Sequence, residues 1–149
     1  MHDVLECVVK YELALIIKKL ISEKYFTLDQ LNNAIMSFKY GPTDVKNKPC
    51  MLPKELKSIG GNASKNWCLV SLLPLIIGRN VPKENLYWKF LLHLKKLLEL
   101  IFAPRYISGM LVILQEMTIE HIEMLKELFP SFTVKPNISF SFALLPSNS

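Results

Sequence analysis

From Leu5 to Ile21 the apolar residues Leu5, Val8, Val9, Leu13, Ile16, Ile17, Leu20 and Ile21 recur at steps of three and four. That spacing follows the 3.6-residue helical turn and predicts an amphipathic helix of about five to six turns, with Lys10, Glu12, Lys18 and Lys19 on its outer face. A new helix start lies in FTLDQLNNAIMSF. There the Thr27 hydroxyl can accept from the Gln30 amide while the Gln30 side chain reaches back, a reciprocal cap that leaves Leu28, Leu31, Ile35 and Phe38 as the inner stripe. These two helices are expected to form an antiparallel pair. From about residue 39 to 62 the periodicity stops, and three Pro and three Gly mark a long connector.

Helical spacing returns in ASKNWCLVSLLPLIIG, where Trp67, Val70, Leu73 and Ile77 are expected to face inward. Pro74 lacks an amide donor and should kink this helix, and Gly78 should end it. A fourth helix is expected from Pro82, a residue suited to a first turn, to a stop at Pro104. It is apolar around most of its circumference, which predicts a central place. The fifth, from about Ser108 to Phe129 and closed by Pro130, has Met110, Leu111, Leu114, Met117, Ile122, Leu125 and Leu128 on its inner side. With no strand pattern, the fold expected is all-α: an irregular bundle of about five helices over residues 1–136, followed by an irregular tail, 137–149.

Composition narrows the class. Half the residues are hydrophobic and 21% are charged, the reverse of a disordered chain. A chain of 149 residues forms one domain with a real core. The longest apolar run, WCLVSLLPLII, is broken by Ser71 and Pro74 and falls short of the ~20 residues that span a bilayer. Asp3, Glu6 and Glu12 stand where a secretory signal carries Lys or Arg, so an intracellular location, nucleus or cytoplasm, is expected, with no membrane partner. Cys7, Cys50 and Cys68 are odd in number and form no CxxC pair, which points to reduced thiols.

The net charge of +5 is concentrated in residues 41–66, where Lys46, Lys48, Lys54, Lys57 and Lys65 face only Asp44 and Glu55. Such a segment can touch phosphates. Without Arg or interleaved aromatics it carries no base-reading pattern, and a solvated loop is the simpler reading.

Three further positions invite chemistry. His2 and Glu6 share a helical face and Asp3 is adjacent, so the three could hold a metal ion or act as acid and base. Acidic residues are equally at home in a first turn, where they offset the helix dipole. His93 and His121 lie in helices without a Cys, Ser or Asp at triad spacing, and Gly60-Gly61 lacks the Lys-Ser of a phosphate loop. No bound cofactor or metal is expected.

Taken together, MHDVLECVVKYELALIIKKLISEKYFTLDQLNNAI, NKP, NWCLVSLLPLIIGRNVP and LELIFAP resemble the C-terminal helical part of cut-and-paste DNA transposases of the CACTA (En/Spm) type. The resemblance covers roughly residues 1–136. Met1, His2, Asp3, Leu5, Glu6 and Val8 match the family's opening block, while Cys7 replaces its glycine. Such transposases are thought to cut DNA with strand-borne carboxylates that hold two divalent metals. The resemblance implies that His2, Asp3 and Glu6 are the border of such a site, its sheet and carboxylates lying upstream of the first Met and missing from this chain.

At the other end, Lys135 and Pro136 lead into NISFSFALLPSNS where the family has a His-rich stretch, a switch that a frame change would produce. The expected function is a non-catalytic fragment of a transposase-like protein. The alternative is a domesticated module binding DNA, weakly and non-specifically, through the 41–66 loop, or a protein through apolar helix faces. An active nuclease stands third, because the strand-borne carboxylates are missing.

Overall fold

Five α-helices and no strand form among the described residues: α1 (His2–Ser22), α2 (Leu28–Ser37), α3 (Ala63–Ile77), α4 (Leu86–Ile101) and α5 (Met110–Leu128). The structure, a computed structural model, describes residues 2–103 and 108–131, with side chains from residue 8 onward. Its contacts fall into two compact units, Met1–Leu91 and Leu92–Ser149, with the division inside α4. The expected all-α class is what forms.

In the first unit α1 contributes a continuous buried stripe. Val8, Val9, Leu13, Ile16, Ile17 and Leu20 are buried as their spacing predicts, and Ala14 joins them. Glu12 departs from expectation: it is 2% exposed, whereas Tyr11 beside it is at the surface. The apolar stripe is therefore wider than the charge pattern indicated. The chain leaves α1 through Lys24, whose φ of 68° is left-handed. The Lys24 amide donates to Ile21 O and the Tyr25 amide to Leu20 O, the paired bonds of a helix end that glycine usually serves. Lys24→Gly removes the strain of a side chain at positive φ and adds chain entropy to the unfolded state. The net expectation is a gain of about 0.5–1 kcal/mol, read as a higher denaturant midpoint.

α2 starts as its sequence predicts. The Gln30 amide donates to Thr27 Oγ1 and the Thr27 amide to Gln30 Oε1, so both halves of the cap are present. Leu31 and Ile35 are buried, and so is Asn32. Among the α-helices, backbone contact is most extensive between α1 and α3 and next between α2 and α3. Thus α3, not an α1–α2 hairpin, organises the unit.

α3 is capped by Asn62, whose Oδ1 accepts from the Lys65 amide, and the helix runs through Pro74. Gly78 ends α3 as its C-cap, as the sequence predicts, but without the left-handed turn that glycine usually supplies there. Its φ of −58° is an ordinary right-handed value, and the chain continues through it as a 3₁₀ turn, Gly78–Asn80. What requires glycine here is space, since a Cβ would stand 3.3 Å from Trp88 Cζ2.

Pro82, by contrast, does not start α4. It opens a turn closed by the Asn85 amide on Pro82 O, and Asn85 is the cap, with Oδ1 accepting from the amides of Tyr87 and Trp88. The Asn85 amide group also donates to Glu23 Oε1 and Tyr25 Oη, while Asn80 donates to Tyr25 O. This polar clasp ties the end of α1 to the start of α4. Trp88, Phe90 and Leu91 complete the first unit's buried set. Lys89, Lys96 and Glu99 stay exposed, so α4 is amphipathic rather than enclosed on all sides.

In the second unit Leu94, Leu97, Leu98 and Ile101 of α4 are buried. The buried line of α5 is Leu114, Thr118, His121 and Leu125, spaced four, three and four. Met110, Leu111, Met117, Ile122 and Leu128 are half-buried at its edges. The two polar members of that line were absent from the expected inner side. Thr118 satisfies itself by donating Oγ1–H to Leu114 O at 2.7 Å.

Candidate functional site

The basic connector is folded into the first unit, contrary to the solvated loop expected of it. Tyr40 anchors its start by donating to Ile35 O at 2.8 Å. A turn on Gly41 O leads into a short 3₁₀ segment, Val45–Asn47. Beyond it Pro49, Leu52, Leu56 and Ile59 are buried, and Ile59 is only 2% exposed. These four apolar residues, spread over eleven positions, give the segment a hydrophobic footing that a solvated loop lacks.

Asn32 fixes the centre of this strap. Its Nδ2 donates to Leu52 O at 3.2 Å, and its Oδ1 accepts from the Leu52 amide at 2.8 Å. One side chain thereby satisfies both backbone groups of a buried, non-helical residue, which is what such a residue needs to leave water. Sequence reasoning passed over Asn32. The signal was its register: residues 28, 32 and 35 fall on one helical stripe, and an Asn there has to find a partner.

The lysines occupy the positions between the anchors. Lys46, Lys48, Lys54 and Lys57 are exposed, whereas Lys65 is half-buried. Lys48 Nζ lies 5.8 Å from the Tyr40 ring centre, within reach of a weak cation–π contact. Lys57 meets Glu55 at 3.6 Å, with both side chains over four-fifths exposed, so water and salt screen the pair. Lys65 is set apart from the other four. Its Nζ is 4.0 Å from Cys50 Sγ, and Gly61, at φ 90°, lets the chain pass close to that sulfur. Lys65 is thus part of the seam that joins the two ends of the strap.

Cys68 and Tyr40 stay uncharged at neutral pH. Burial pushes the Cys68 thiol up, and Asp44 adds to the effect. Burial likewise raises Tyr40, with Cys68 adding, which keeps its hydroxyl proton available for Ile35 O. Cys68 and Cys50 are both free thiols, the first buried and the second half-buried.

The backbone of residues 2–7 belongs to α1, but the side chains of His2, Asp3, Glu6 and Cys7 lie outside the described residues, as does the 137–149 tail. Among the described residues no three His, Cys, Asp or Glu side chains gather around one point that could hold a metal ion. Nor is any helix among them long and apolar enough to cross a membrane. Compared with known protein families, characterised proteins and solved structures, the chain matches none.

Proposed function

We propose that the chain is a non-catalytic helical module of a transposase-like protein, and that its part is to hold a nucleic-acid backbone on the basic connector. The observation that carries this reading is the strap itself. A segment anchored by Pro49, Leu52, Leu56 and Ile59 and clamped by Asn32 presents Lys46, Lys48, Lys54 and Lys57 from a fixed frame. Lysines on a pre-formed frame reach phosphates without first ordering the chain that carries them, so less of the electrostatic gain is lost. The contacts are to phosphates because the strap has no Arg or Gln, and its helical Asn47 sits on a 3₁₀ segment of 3 residues, too short to enter a groove and read base edges.

Labelled duplexes titrated at several salt concentrations test the proposal. Binding is expected to be weak, independent of sequence and steep in salt, each phosphate contact adding about −0.9 to the slope of log affinity against log salt. Replacing Lys46, Lys48, Lys54 and Lys57 with Gln should flatten the slope by about 3 to 4 and leave the helical signal unchanged. A slope that does not respond to these substitutions would remove the strap from the interface. No binding at low salt would favour a transposase-derived fragment without a nucleic-acid partner.

A further inference from the structure

The second unit brings two imidazoles edge to edge, one half-buried on α4 and one buried on α5. His93 Nδ1 on α4 lies 3.1 Å from His121 Nδ1 on α5. The ring centres are 5.3 Å apart and the planes differ by 9°. The centres are farther apart than the nitrogens by about two imidazole radii, so both Nδ1 atoms lie on the line joining the rings. The rings are therefore side by side in one orientation, and their in-plane lone-pair directions meet head-on. This is the geometry of a straight N–H···N hydrogen bond and not of a π-stack. It also differs from chelation, where the two lone pairs would converge on a point off that line.

A straight Nδ1···Nδ1 bridge holds one proton. In the neutral pair one ring donates at Nδ1 and the other accepts there. Glu120 Oε2, 3.5 Å from His93 Nε2, favours the arrangement in which His93 carries its proton at Nε2 and accepts at Nδ1 from His121. Adding one proton to the pair leaves the bridge intact but places a charge where His121 is 1% exposed. Adding a second puts two N–H groups nose to nose across 3.1 Å, and the bond becomes a repulsion.

We propose that His93 and His121 form a proton-operated latch between α4 and α5, fastened while one proton occupies the bridge and released as acid loads it with another. The groups facing His93 act in both directions. Burial and then His121 push its imidazole below the ordinary value, Glu120 opposes them, and Lys96 on α4 adds to the lowering. Glu120 is largely exposed, so its opposition is screened. A histidine lowered in the folded state leaves the unfolded chain binding more protons. The stability it confers is complete above the ordinary value of about 6.5 and declines as pH falls through it toward the lowered folded value.

Nitrogen-15 NMR of the histidines in the full chain at neutral pH reads the bridge directly. Scalar coupling across Nδ1–H···Nδ1, with one ring in each tautomer, is the expected result; two Nε2–H tautomers with no coupling would sink the proposal. Amide exchange then reads the release. Between pH 7 and pH 5, after correction for intrinsic rates, opening of α5 is expected to increase by about tenfold for each pH unit by which His93 is lowered. His93→Gln, which can donate to His121 Nδ1 and never charges, should keep α5 protected at pH 5. Equal α5 protection at the two pH values in the unaltered protein would overturn the latch even if the variant failed to fold.

Discussion

Asn32→Ala is expected to lower the stability of the first unit by about 3 kcal/mol, a large loss for one polar side chain. The two bonds it makes to Leu52 each contribute about 1 kcal/mol net, and removing them leaves a backbone N–H and C=O without partners where Leu52 is 4% exposed. Each orphaned group adds about 1–3 kcal/mol, reduced because Met51 and Pro53 on either side are exposed and let water approach. Chemical denaturation gives the loss, and exchange of the Leu52 amide shows where it occurs. Asn32→Asp supplies the contrast, because it keeps an acceptor but loses the donor and sets a carboxylate against Leu52 O. It should be at least as damaging. A cost below 1 kcal/mol for Asn32→Ala would mean that the apolar anchors alone hold the strap.

The second large effect is expected at Gly78. A Cβ there meets Trp88 Cζ2 at 3.3 Å and Cη2 at 3.9 Å, and Trp88 is 4% exposed, with little room to retreat. Since φ at this position suits any residue, the whole cost is steric. Gly78→Val should destabilise by about 3 kcal/mol and Gly78→Ala by about 1, the usual range for overpacking. Phe at position 88 lacks the ring that carries both contact atoms. In a double-mutant cycle Gly78→Val should therefore cost at least about 1 kcal/mol less beside Trp88→Phe than alone. Strict additivity would show that the Trp88 ring is not what the new side chain strikes.

These two residues also mark where the sequence was readable. Helix periods, the Thr27–Gln30 cap and the burial of Val70, Leu73 and Ile77 depend on neighbours a few positions away, and local pattern exposes them. Gly78 was visible as a glycine but not for its reason, because the tryptophan it accommodates lies on another helix. Glu12 looked like an outer-face charge because its class, not its register, was given weight. The strap was hidden for a similar reason: its four anchors follow no single period, and only the fold puts Asn32 against Leu52, twenty residues away. His93 and His121 are 28 apart in sequence, and no spacing rule joins them. The lysines of the candidate site were legible as a charge excess; their separation into four exposed residues and one seam residue was not.

The Asn85 clasp closes a loop of 62 residues back to Glu23, and the Asn32 clamp closes a loop of 20 inside it. Entropy decides how far the two depend on each other. Fastening the inner loop first shortens the outer one by about a third, and because closure cost grows only with the logarithm of length, this eases the outer closure by about 0.3 kcal/mol. That is smaller than one hydrogen bond. The two fastenings are therefore nearly independent events: the strap can detach and re-seat while the neck of the loop stays tied, and the chain needs no fixed order in which to make them.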